Sequence, residues 1–153
     1  VNYNISMEKQ VLLPSKKILV NAVIETFSGT LYNAAGIGFM MRLGKFNSYF
    51  ENVNPQGKSK RDKFQLYMYS KPVARVVLSN ALLQGGLMNQ VNHQKKGFTL
   101  NNDQVERLVV LFDAGITCEV QKFSVTIRQK MSTAEFKGQS AQEVGNITLQ
   151  FKL

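Results

Sequence analysis

The 153-residue sequence has little of what most catalytic and metal sites are built from. It holds one histidine, His93, so no two-histidine site can form within one chain. It holds one cysteine, Cys118, which excludes an intrachain disulfide and fits a reducing compartment. Cys118 and His93 could pair as nucleophile and base, but nothing in their sequence context joins them. Neither GxxxxGK[ST] nor GxGxxG occurs, and the lone Gly36-x-Gly38 sits inside a strand-like run. No apolar stretch approaches the roughly 18 residues that a membrane-crossing helix needs. The opening VNYNISMEK lacks a basic segment followed by an apolar one, so no signal peptide is expected. These gaps lead to the expectation of a non-enzymatic protein with no metal, no cofactor and no membrane partner. Its expected location is intracellular: cytoplasm, nucleoid or organelle matrix.

What is present is a folded-protein composition, 44% hydrophobic and 10% aromatic, with a formal charge of +9. Residues 1–153 are read as a single domain, with 1–15 a loose N-terminal arm that holds at most a short edge strand before Pro14. The charge is uneven: +2 over residues 1–54, +7 over 55–100 and zero over 101–153. A concentrated excess of this kind suggests a patch that draws polyanions.

The chain is organised around Lys95 to Gly115. Asn101 and Gln104 have capping-box spacing, with Leu100 and Val105 placed as a hydrophobic staple. Val105, Leu108, Val109 and Phe112 recur at helical spacing, and Gly115 supplies a stop. A helix of about three turns is therefore expected there. A second is expected from Lys71 to the Gly85-Gly86 pair, with Ser70 as cap, although the Val76-Val77 pair leaves a strand open. Strands are expected over 16–26, from Leu31 to about Phe50, over 64–69, 122–129 and 146–153. In the last two, Phe123, Val125, Ile127, Ile147, Leu149 and Phe151 are placed inward. The fold class that follows is α+β: a curved, mostly antiparallel β-sheet with two helices packed on one face.

Asn52 to Lys63 reads as the tip of a basic β-hairpin, carrying Lys58, Lys60, Arg61 and Lys63. Tyr67 and Tyr69, with Tyr49 from the preceding strand, would offer rings for base stacking. Arg42, Lys45, Lys95 and Lys96 would extend the surface. For the lysines a solvated loop is nearly as good a reading. For any single tyrosine, partial burial at the core edge is the better one. The expected function is binding of single-stranded DNA or RNA with low sequence specificity. The alternative is a homo-oligomeric assembly or protein-interaction protein, whose lysines serve solubility or an acidic partner.

Lys96-Gly97-Phe98-Thr99-Leu100, followed by Gln104 and Leu108, resembles the glycine, strand, turn and helix of PC4-type and Whirly-type single-stranded DNA-binding domains. The resemblance covers roughly twenty residues. It implies a curved antiparallel sheet backed by helices, a homo-oligomer, and nucleic-acid contacts at Lys95 and Lys96.

Overall fold

The computed structural model describes residues 1–15, 17–47, 63–85 and 99–151. Seven strands dominate it: β1 (Asn2–Ser15), β2 (Ile18–Gly29), β3 (Tyr32–Lys45), β4 (Phe64–Asn80), β5 (Leu108–Val120), β6 (Phe123–Ser132) and β7 (Gln142–Phe151). They form one sheet in chain order, each strand antiparallel to the next. All seven are as long as, or longer than, the 9–11 residues typical of a strand that crosses a bilayer at a tilt.

Local chemistry sets the turns. Gln121 takes the left-handed conformation (φ 53°) in the two-residue connection between β5 and β6. At the β2–β3 turn the Asn33 amide clamps Gly29 from both sides. Its Nδ2 donates to the Gly29 carbonyl at 2.8 Å, and its Oδ1 accepts from the Gly29 amide at 2.9 Å. Residues 2–15, expected as a loose arm, run along β2 as β1.

The α+β expectation is overturned, because the two expected helices are strands. Ala74, Val77, Leu78 and Ala81 satisfy helical spacing, but the same segment also alternates. Ala74, Val76 and Leu78 take one face, while Val73, Arg75 and Val77 take the other. The β-branched valines favour the extended form, and β4 runs straight through to Asn80. Only α1 (Ala81–Gln84) is helical here, with Asn80 Oδ1 accepting from the Leu82 amide at 3.1 Å. Pro72, expected in a helical first turn, lies inside the sheet. Pairing of β3 with β4 is interrupted between Gly38↔Val73 and Met41↔Ser70, where proline has no N–H to give.

The second helix fails differently. The capping box at Asn101 does form, with Gln104 Oε1 accepting from the Asn101 amide at 3.0 Å. It nucleates only a 3₁₀ turn, Asn102–Gln104, before β5 begins at Leu108. Leu108 and Phe112 then fall on one face of β5 and Val109 on the other.

Among the described residues no second layer covers either face of the sheet. Burial is nonetheless one-sided. Every buried strand residue short of the Asn80 end — Leu19, Asn21, Val23, Ala34, Met40, Val73, Val77, Val109, Thr117 and Ser124 — shares one face. A single sheet can bury side chains on one face only by curling round them, so this face is concave.

Candidate functional site: a polar inner wall and an apolar outer band

Directly opposed residues in an antiparallel ladder point to the same side, so the register assigns every side chain to a face. The convex face carries Tyr3, Ile5 and Met7 on β1, then Ile18, Val20, Ala22 and Ile24 on β2. It continues with Ile37, Phe39, Met41 and Leu43 on β3 and Leu66, Met68, Ala74 and Val76 on β4. Leu108, Val110, Phe112, Ile116 and Val120 extend it over β5, and Phe123, Val125, Ile127, Ile147, Leu149 and Phe151 over β6 and β7. Much of this face is open to the surroundings: Ile37 is 68% exposed, Ile127 59% and Ile147 70%. A patch of this extent is far beyond what a water-soluble surface tolerates.

The band is also slanted. One row of the register holds Lys9, Ala22 and Phe39, and by the flanking pairs continues through Pro72, Phe112 and Met131 to Glu143. On β1 the apolar run is broken at Lys9, with Tyr3, Ile5 and Met7 to one side of that row and Val11 beyond it. On β7 it starts after Glu143 and lies to the other side. Strands that cross a level apolar slab at a tilt produce this displacement.

The concave face combines a buried apolar cluster, Ala34, Val77 and Val109, with paired polar and charged groups. Glu25, Gly36 and Arg75 share one row across β2, β3 and β4. Gly36 has no side chain to block the path, and Arg75 reaches over it to Glu25, with Nε 2.9 Å and Nη2 2.5 Å from Oε1. The Arg75 guanidinium also lies 4.5 Å from the Phe27 ring centre. Lys71 on β4 meets Glu8 on β1 at 3.1 Å across two intervening strands, which requires the sheet to be strongly curled. Asp113 gathers the third group: Arg128 Nε lies 3.1 Å away, and the Tyr69 hydroxyl donates to it at 3.3 Å. Thr117 and Thr126 join their hydroxyls at 3.1 Å.

Gly115 makes the Asp113 group possible. It faces Tyr69 directly across the β4–β5 ladder, and the ring lies over its backbone. A Cβ there would stand 2.6 Å from the Ile127 carbonyl oxygen and 2.9 Å from Tyr69 Cε1. Gly115→Leu is therefore expected to displace the Tyr69 ring and destabilise the protein by about 1–3 kcal/mol, measured by urea unfolding.

Of the residues expected at a nucleic-acid surface, five are described, and they do not share one face. Tyr49, Lys58, Lys60, Arg61, Lys95 and Lys96 lie outside the described residues. Arg42, Tyr67 and Tyr69 are on the concave wall, with Arg42 5.2 Å from the Tyr67 ring centre and Tyr69 held by Asp113. Lys45 and Lys63 stand at one rim of the sheet. Among the described residues no open platform brings Tyr67 and Tyr69 together with Lys45 and Lys63. Among the described residues no three acidic, histidine or cysteine side chains converge on a metal position. No helix among them is long and apolar enough to cross a membrane, which says nothing about strands.

The sequence reading missed the outer band itself. Its signal was the phase of the charges: Glu25, Arg42, Arg75, Asp113, Glu119 and Arg128 all fall opposite the apolar positions of their strands.

Comparison with known proteins agrees with this geometry. The family model described as "Outer membrane protein LpxR" matches residues 3–153. The solved structure of LpxR from Salmonella typhimurium superposes with a TM-score of 0.66 at 17% identity, covering 99% of this chain. The chain spans about half, 51%, of that structure's length. No curated protein matches. These findings overturn the resemblance to PC4-type and Whirly-type domains, and with it the single-stranded nucleic-acid partner. They overturn the intracellular location and the absence of a membrane partner, and they lend nothing to a homo-oligomeric assembly protein. The expectation of a non-enzymatic protein, which rested on the nucleic-acid reading, falls with it. With the family model matching all but the first two residues, the chain belongs to the LpxR family of outer membrane proteins.

Proposed function

We propose that this chain forms part of the wall of an outer-membrane β-barrel enzyme that removes acyl chains from lipid A. The observation that carries the membrane reading is the inversion of the sheet: apolar residues exposed on the convex face, charged pairs enclosed on the concave one. Water would select the reverse arrangement, whereas lipid outside and a polar lumen inside select this one.

The strand order supports a barrel that includes further strands. With seven strands in sequence, β1 and β7 run in the same direction, so pairing them directly would be parallel. Antiparallel closure needs an odd number of additional strands between them.

The enzymatic part of the reading rests on the family, since LpxR is a lipid A deacylase. Its substrate is an amphiphile held in the membrane. A barrel wall with an apolar outer surface lets acyl chains lie against the protein while polar groups act from the lumen or rim. The purified protein incubated with lipid A in mixed micelles is expected to yield a product lighter by one or more acyl units, read by mass spectrometry. An unchanged lipid A mass spectrum under conditions where the protein is folded would contradict the deacylase reading and leave the barrel wall standing.

A further inference from the structure

Among the described residues the two margins of the apolar band carry opposite charge. Lys17 precedes β2, Lys45 ends β3, Lys63 precedes β4 and Lys122 joins β5 to β6. All four are exposed and all lie at the same margin. Two are fixed there by the backbone: the Lys17 carbonyl accepts from the Gly44 amide at 2.9 Å, and the Lys63 carbonyl from the Gln121 amide at 2.7 Å. The one described acid close by, Glu119, points to the concave side. The opposite margin bears Asp103, Glu106, Glu135 and Glu143 against Arg107 and Lys137.

We infer that the lysine margin is a binding surface for the phosphate-bearing head groups of anionic lipids in the leaflet it meets. This rests on the membrane reading above. An apolar band leaves a ring of head groups at each margin, and a ring of ammonium groups there selects lipids with net negative charge. The lysines flank the band instead of forming a pocket, so the ligand is the surrounding lipid, and it is held by charge and not by shape. The asymmetry also orients the chain, with the lysine margin at the more anionic surface.

Cys118 provides the probe. It is the chain's single cysteine, sits on the convex face between Leu66 and Val125, and is close to Lys122. With a bimane on Cys118 and the full protein in phosphatidylcholine vesicles, brominated phosphatidylglycerol is expected to quench at least about two-fold more than brominated phosphatidylcholine at equal mole fraction. The excess should disappear at high salt and in Lys45→Gln/Lys63→Gln/Lys122→Gln, and survive Lys137→Gln at the other margin. The salt series needs no substitution, so it decides the matter even if the triple variant does not fold. Equal quenching by the two lipids would overturn the head-group inference with the membrane reading intact. No quenching by either would remove the membrane reading, and the inference with it.

Discussion

Ile127→Arg is expected to cost the protein on the order of 2–4 kcal/mol of folding stability in a bilayer. Ile127 lies at the middle of β6, in the same row as Met68 and Ile116 and beside Ile147, on the convex face. It is 59% exposed. On a water-soluble protein, a substitution at so open a position would shift stability by no more than about 0.5 kcal/mol. In lipid the guanidinium loses its water and has no partner within reach, and that penalty dominates. Urea unfolding of protein folded into vesicles, followed by the heat-dependent shift in gel mobility, reads the difference. The same change at Thr126, one residue along and facing the lumen, should cost less, since a lumen-facing charge can keep its hydration. A neutral result at Ile127 together with a large loss at Thr126 would reverse the assignment of faces.

Arg75→Ala is expected to destabilise the protein by about 2–3 kcal/mol. Removing the guanidinium leaves the Glu25 carboxylate, 12% exposed in the intact pair, on the concave wall without its cation. The remaining access to water, 18% on the Arg75 side, places the loss toward the low end of what a broken buried pair costs. It also removes the cation from the face of Phe27. Glu25→Leu/Arg75→Met, which takes away both charges, should be more stable than Arg75→Ala. That pattern in a double-mutant cycle separates a stranded charge from simple loss of packing. Additive losses would mean that the two side chains do not act as a pair.

Much of the strand pattern could be read from the sequence. The alternation in Ile18–Glu25, Phe123–Arg128 and Asn146–Phe151 is real, and β2, β6 and β7 run through those segments. Gly36, Gly38 and Gly44 were legible as features of a curved strand, and all three lie on the concave side of β3. What alternation cannot supply is the sign of each face. Phe123, Val125 and Ile127 were expected to point inward because water makes apolar residues do so, yet here the exposed face is the apolar one. Period two is the same in a sandwich core and in a lipid-facing wall; only the surrounding solvent differs. The helices expected at 71–85 and 101–115 fail for a related reason. Val105, Leu108, Val109 and Phe112 repeat at three and four, but Leu108, Val110 and Phe112 also repeat at two. Pairing with β4 and β6 settles the choice, and neither partner is visible in a local window.

The paired inner wall was hidden by distance in the chain. Glu25 and Arg75 are 50 residues apart, and Tyr69 and Asp113 are 44 apart. Each pair is intelligible only once the register places a glycine, Gly36 or Gly115, where side chains must pass or lie flat. Basic charge was legible too, but its meaning depends on geometry. Lys45 and Lys63 sit beside an apolar band, not on a platform shared with Tyr67 and Tyr69.

Spin labels placed singly at each position of β5 from Leu108 to Val120, in protein folded into vesicles, test the inverted sheet most directly. Collision with membrane-dissolved oxygen should peak at 108, 110, 112, 114, 116 and 118, the positions of the convex face. Collision with a water-soluble nickel chelate should be weakest there and rise, where the lumen admits it, at 109, 111, 113, 115, 117 and 119. Two period-two profiles of opposite phase would place lipid outside and polar space inside. Profiles in the same phase, or a chelate maximum at Phe112 and Ile116, would mean that the apolar face meets water or protein and that this sheet does not line a membrane barrel.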